Sequence, residues 1–231
     1  MADRGRVHAV GRARCGRGPE AARVLTAPPP YRIVTERLVI RCYEPSDAPA
    51  LKEAVDSSIE HLKPWMPWAH DEPQTVEQKV QLLRTFRGQF DLGQNFVYGL
   101  FSADETALVG GSGFHLRVGA DAFEIGYWIR ASEEGKGLTT ESTAALTRVG
   151  FEVCEVDRIE IHVEPENARS ARIPQKLGYV EEARLRRRLY PPPGGEPRDT
   201  IVFTMFRSDY PASPAATAEL EAYDALGKHV L

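Results

Sequence analysis

Between residues 123 and 153 the chain passes from an apolar, aromatic stretch through a turn with two glycines into a helix, and this succession limits the fold more than any other feature. Residues 123–130 (FEIGYWIR) read as a strand, Glu134-Gly135-Lys136-Gly137 as a turn, and residues 138–153 as a helix. Closely spaced glycines let successive backbone N–H groups turn outward together. The first N–H groups of the helix have no partner inside it and point the same way, backed by the positive end of the helix dipole. The segment is therefore suited to an anion, with Lys136, Thr139 and Thr140 as further donors, and a diphosphate fits that chemistry. Neither familiar nucleotide loop is present: GxxxxGK[ST] is absent, and GxGxxG would put Thr140 where its third glycine belongs. On spacing alone an ordinary glycine turn explains the segment equally well.

The flanking pattern predicts an α+β body. Residues 33–41 (IVTERLVIR) are rich in β-branched side chains and read as a strand. Ser46 precedes a helix with Ala48, Leu51, Ala54 and Val55 on one face, and Thr75 opens a second with Val76, Val80, Leu83 and Phe86. Residues 96–101, 107–116 and 123–130 read as an antiparallel meander, with Gly110-Gly111 marking a bulge or a close backbone approach. A strand at 158–163, a short helix at 167–177 closed by Gly178, and strands at 179–189 and 200–206 follow. An alanine-rich helix is expected over residues 213–228, packed on the body or on a second copy of the chain. The domain reading is a disordered Arg-rich leader at 1–30, one domain at 31–210 and a helical tail at 211–231.

Charge divides along the same line. Residues 1–28 hold six arginines against Asp3 and Glu20, a net +4, which leaves −8 for the rest of a chain whose total is −4. An acidic body disfavours a DNA surface and suits a cationic substrate. There is no apolar signal core in the leader and no run of 18 apolar residues, so neither a secretory signal nor a membrane span is expected. Cys15, Cys42 and Cys154 form no metal spacing and cannot all pair, which fits a reducing, cytoplasmic setting. His61, His70, His115 and His162 fall at no metal-ligand spacing.

Blocks in order along residues 31–210 resemble the GNAT superfamily of acetyl-CoA-dependent N-acetyltransferases, and more narrowly its RimJ/RimL branch, named for ribosomal-protein N-terminal acetylation. They are Thr35-Glu36-Arg37-Leu38-Val39-Ile40-Arg41, Leu62-Lys63-Pro64-Trp65-Met66-Pro67-Trp68, Glu124-Ile125-Gly126-Tyr127-Trp128-Ile129, Gly135-Lys136-Gly137 with Glu141, and Asn167-Ala168-Arg169-Ser170 with Lys176-Leu177-Gly178-Tyr179. The resemblance implies a central mixed, mostly antiparallel sheet with helices on both faces, whose fourth and fifth strands (123–130 and 158–163) splay apart. Acetyl-CoA would enter the splay, its pantetheine arm beside Trp128, Ile129 and Arg130. Its diphosphate would lie on Gly135, Lys136, Gly137, Leu138, Thr139 and Thr140, with Asn167 and Lys176 nearby. Where the family loop carries Arg or Gln and later Gly or Ala, this chain has Glu134 and Thr139, and Glu134 is expected to face solvent.

The implied reaction is direct attack of an amine on the thioester. An α-amine, with a pKa near ~8, is partly neutral at physiological pH, whereas a lysine near ~10.4 is almost wholly charged. Glu124 is the candidate general base, or else a structural acid paired with an arginine. Ser170 and Tyr179 are candidate proton donors to the leaving thiolate, or else a helix-surface hydroxyl and a core aromatic. Trp65, Trp68, His115 and Tyr127 are expected on the acceptor side. The leading expectation is acetylation of a protein or peptide N-terminus; the alternatives are a small-molecule or antibiotic amine, and a non-catalytic acyl-CoA-binding module.

Overall fold

The computed structural model describes residues 27–189 and 195–231. The leader up to residue 26 and part of the Pro/Gly loop before residue 195 lie outside the described residues. Residues 33–41 form a hairpin rather than one strand: β1 (Arg32–Val34) and β2 (Leu38–Cys42) pair antiparallel. The polar run Thr35-Glu36-Arg37 makes the turn, where Thr35 Oγ1 accepts the Leu38 N–H at 3.2 Å. Three helices follow: α1 (Ala48–Asp56), the short α2 (Ile59–Leu62) and α3 (Val76–Asp91), the last capped by Thr75, whose hydroxyl accepts the Gln78 N–H. The meander is β3 (Phe96–Ser102), β4 (Leu108–His115) and β5 (Ala122–Ile129). Then come α4 (Leu138–Glu152), β6 (Arg158–Val163), α5 (Ala168–Leu177), β7 (Val180–Leu189), β8 (Arg198–Phe206) and β9 (Glu221–Tyr223).

The strands among the described residues join one nine-stranded sheet in the order β7-β8-β6-β5-β4-β3-β2-β1-β9. β5 and β6, linked through α4, form its parallel pair. Their ladder runs from Ala122↔Arg158 to Glu124↔Glu160 and stops. Beyond that point β5 continues on β4 and β6 continues on β8, so the expected splay is present.

Strand alternation sends side chains to opposite layers. Leu38 and Ile40 join the core under α4 with Phe114, Phe123, Ile125 and Ile159, whereas Val39 joins Leu51, Leu83, Phe101 and Leu108 under α1 and α3. The glycine doublet in β4 meets both expectations. The register slips opposite Leu100 and Phe101, and a Cβ on Gly110 would lie 2.5 Å from the Trp128 carbonyl.

The tail corrects the sequence reading. No helix covers residues 213–228; the chain makes tight turns at Tyr210–Ala212 and Pro214–Thr217 and then pairs as β9 with β1, Ala222 opposite Ile33. Alanine's helix propensity is a weak force, and the unpaired edge of β1 offers backbone partners that outweigh it. Ala215 and Ala222 are fully buried, so the tail packs on the body. Among the described residues no helix is long and apolar enough to cross a membrane, and Cys42 and Cys154 are free and buried.

Candidate active site

The turn before α4 has the backbone that its glycines promised. Gly135 and Gly137 take φ of +77° and +81°, the left-handed region, and Gly137 is the N-cap of α4. The first bond into the helix runs from the Glu141 N–H to the Gly137 carbonyl at 3.0 Å. Among the described residues no acceptor takes the N–H groups of residues 135–140. The outer side of the turn is held by the β1–β2 hairpin. The Glu141 carboxylate accepts Thr35 Oγ1 at 2.7 Å, the Arg37 N–H at 3.0 Å and Arg37 Nε at 2.6 Å, while Arg37 Nη1 donates to the Lys136 carbonyl at 2.9 Å.

The free amides face a cleft of about 800 Å³ between the end of β5, the turn, α5 and the segment after α2. Of the residues expected there, Gly135, Gly137, Leu138, Thr139 and Thr140 line it from the turn, and Asn167, Ser170 and Lys176 from α5. Trp65, Tyr127, Trp128 and Ile129 close the other side. Residues to which the sequence assigned no site role, His61, Met66, Glu166, Arg169 and Arg172, also line the cleft. The Arg130 N–H bonds to Val109 at 2.8 Å, so alternation along β5 turns the main-chain groups of Tyr127 and Ile129 towards the splay. The main-chain groups left open beside the splay therefore belong to these two residues rather than to Trp128 and Arg130.

Other expected residues stand outside the lining. The Arg130 guanidinium pairs with Glu53, and Lys136 Nζ pairs with Glu133 at 3.0 Å. Trp68 packs edge-on against Trp128, ring centroids 5.9 Å apart. Tyr179 is buried; its hydroxyl lies 2.6 Å from Thr147 Oγ1 inside the core, which corrects its assignment as a proton donor. The Ser170 hydroxyl, by contrast, lies 3.1 Å from the Tyr127 hydroxyl at the cleft wall. Burial pushes the Tyr127 phenol well above its ordinary range, against the smaller effect of Ser170, so it stays protonated.

Glu124 lies on the sheet face opposite α4. It is 4% exposed, and its carboxylate accepts both Nε (2.7 Å) and Nη2 of Arg117, with His162 Nδ1 3.7 Å away. Burial would raise its pKa, but the Arg117 bonds and the Arg117 charge outweigh it, so the carboxyl sits below its usual range. This is the geometry of a paired structural acid. His115 faces Glu124 across the β4–β5 ladder, and its Nδ1 is 2.9 Å from the Asn95 side-chain oxygen. With that oxygen as acceptor the proton sits on Nδ1 and Nε2 is bare. Burial, aided by Arg117, lowers the His115 pKa and keeps the ring neutral. Among the described residues no group of three or more His, Cys, Asp or Glu is arranged to hold a metal.

A mixed sheet opened between its parallel strands, with an amide-rich turn at the mouth, defines an acyl-CoA-using transferase. Residues 37–180 match the Acetyltransferase (GNAT) domain family, so the chain belongs to the GNAT acetyltransferases and is an acetyl-CoA-dependent N-acetyltransferase. It is similar to the [ribosomal protein uS5]-alanine N-acetyltransferase of Escherichia coli (strain K12), 31% identical over 67% of this chain and 80% of that one. Among solved structures, Mycobacterium smegmatis RimJ in complex with CoA-disulfide aligns with a TM-score of 0.67 at 26% identity, over 80% of this chain and 90% of that one. RimL, a ribosomal L7/L12 alpha-N-protein acetyltransferase solved with coenzyme A, shares the fold with a TM-score of 0.68 at 20% identity, over 75% and 96% of the two chains.

Proposed function

We propose that the acceptor is the N-terminal α-amine of a protein or peptide, a ribosomal protein being the model substrate, and that the enzyme works in the cytoplasm. One observation carries this reading: among the described residues the two candidate bases on the β4–β5 ladder are held by other partners. Glu124 is tied to Arg117 with its pKa lowered, and His115 is neutral and bonded to Asn95. Such a site suits an amine that is already partly neutral, as an α-amine is, and leaves a lysine side chain mostly protonated. The alanine N-acetyltransferase activity of the similar uS5 enzyme points the same way.

In this reading the amides of residues 135–140 hold the diphosphate of acetyl-CoA, and the main chain of Tyr127 and Ile129 aligns its arm. The amine nitrogen bonds to the thioester carbon, the C–S bond breaks, and the nitrogen loses a proton to water or to His115 Nε2. The Tyr127–Ser170 hydroxyl pair donates a proton to the departing thiolate. Trp65 and Met66 wall the approach. The test is release of free thiol over a panel of peptides with free or blocked N-termini, lysine side-chain amines and small-molecule amines. Turnover confined to free peptide N-termini is expected; faster turnover of small amines would move the assignment to them.

A further inference from the structure

The turn that presents the amides begins with a carboxylate. Glu134 directly precedes Gly135 and lines the cleft, where a bare negative charge would oppose a diphosphate. It is not solvent-facing alone, as the sequence reading expected. Arg169, in the first turn of α5 on the opposite wall, donates from Nη1 to Glu134 Oε1, and His61 Nδ1 lies 3.9 Å from the other oxygen. Arg169 shares one helical face with Arg172 and Lys176, and all three line the cleft. Among the described residues Arg172 and Lys176 have no ion-pair partner, so this face of α5 is a cationic wall set against the amide turn.

The Glu134–Arg169 pair is built to come apart. The Arg169 side chain is 76% exposed, and ion pairs this open to water are weak. A guanidinium carries five N–H donors in a fork that matches phosphate oxygens, and Glu134 engages one nitrogen. We propose that Arg169 is a binding residue for the diphosphate of the acetyl donor, and that Glu134 is its resting partner, displaced when the diphosphate takes the guanidinium. The inference rests on the reading of residues 135–140 as the diphosphate site.

A double-mutant cycle tests it. Wild type, Glu134→Gln, Arg169→Gln and the double variant are titrated calorimetrically with CoA and with dephospho-CoA, which keeps the diphosphate but lacks the 3′-phosphate. Melting curves check that each is folded. Arg169→Gln is expected to weaken CoA about tenfold, with a similar loss in the Glu134→Gln background and with dephospho-CoA. Glu134→Gln alone should bind at least as tightly as wild type, because a competing carboxylate is gone. If Arg169 only cancels Glu134, its removal will have no effect in the Glu134→Gln background, and the proposal fails. If it holds the 3′-phosphate, the loss will vanish with dephospho-CoA, and the proposal also fails. Absence of CoA binding by the wild type is a separate result that overturns the reading of the turn itself.

Discussion

Replacing Gly137 with alanine probes the amide turn with the smallest possible change. A Cβ at this position would meet Arg37 Nη2 at 3.6 Å, an ordinary contact, so crowding adds nothing. The cost comes from the backbone: φ is +81°, and an L-residue there costs about 1–2 kcal/mol. In a chain of this size that lowers Tm by roughly 2–8 °C. The turn relieves the strain by rotating φ, which swings the neighbouring N–H groups out of line. Loss of one charge-assisted bond, worth about 1.5–3 kcal/mol, weakens CoA by roughly 10- to 100-fold. Gly93→Ala is the control. Its φ is +67°, nothing lies within 4 Å of its Cβ, and it follows α3 away from the cleft lining. Both variants should melt earlier by similar amounts, but only Gly137→Ala should lose affinity in a calorimetric titration. Gly137→Glu, which adds a carboxylate to the same place, should abolish binding. Wild-type affinity in Gly137→Ala, with the stability loss of Gly93→Ala, would refute the assignment of the diphosphate to this turn.

Glu124→Gln should lower stability at neutral pH by about 1–2 kcal/mol, a small figure because the Arg117 side chain it releases is 67% exposed. Since the folded Glu124 pKa is depressed, its contribution is present above the unfolded carboxyl pKa and is lost as pH falls through the folded value; urea unfolding at neutral and acid pH should show the two proteins converging. The same variant should keep kcat within about tenfold; a hundredfold loss at unchanged stability would make Glu124 the base after all. Ser170→Ala and Tyr127→Phe should each lower kcat by about 10- to 100-fold with little change in the KM for acetyl-CoA, whereas Tyr179→Phe should spare kcat and cost about 1 kcal/mol of stability. The opposite ranking, in steady-state assays, would return the proton-donor role to Tyr179. Deleting residues 219–231 removes β9 and bares the edge of β1, so light scattering should detect self-association; a monodisperse truncated protein would show that β9 does not guard that edge.

Local signals read well where one physical preference dominated. The strand at Arg158–Val163 has clean alternation, and its boundaries match the sequence reading. The cap at Asn167, whose side chain accepts the Ser170 N–H, and the Gly178 stop follow from spacing in the same way. The tail failed because helix propensity was weighed without knowing that β1 would be an edge. Tyr179 failed because a K-L-G-Y run says where the ring lies in sequence but not that Thr147, on another helix, takes its hydroxyl into the core. Arg169 is the instructive omission. The N-x-x-S spacing draws the eye to Asn167 and Ser170, while the arginine between them looks like ordinary surface charge. Its partner stands 35 positions earlier, and only the fold around the cleft brings the two together.

The same fold makes the opening hairpin and the glycine turn, about a hundred residues apart, one device. A carboxylate in the first turn of a helix is favoured by the dipole, and Glu141 occupies that position. Left free, it would compete with a phosphate for the same amides. Thr35 and Arg37 remove the competition by binding both its oxygens on the outer side, and the same arginine fixes the Lys136 carbonyl. The amides of residues 135–140 are thus held facing inward with no internal acceptor, so their orientation costs nothing further when an anion arrives. Glu134 sits on the inner side, where no such clamp reaches it, and the exposed cation of α5 covers it instead. Two acids flank one turn: the outer is held through both oxygens by half-buried Thr35 and by Arg37, the inner through one nitrogen of a more exposed arginine. The inner pair is the weaker of the two, and it is the one that lines the cleft.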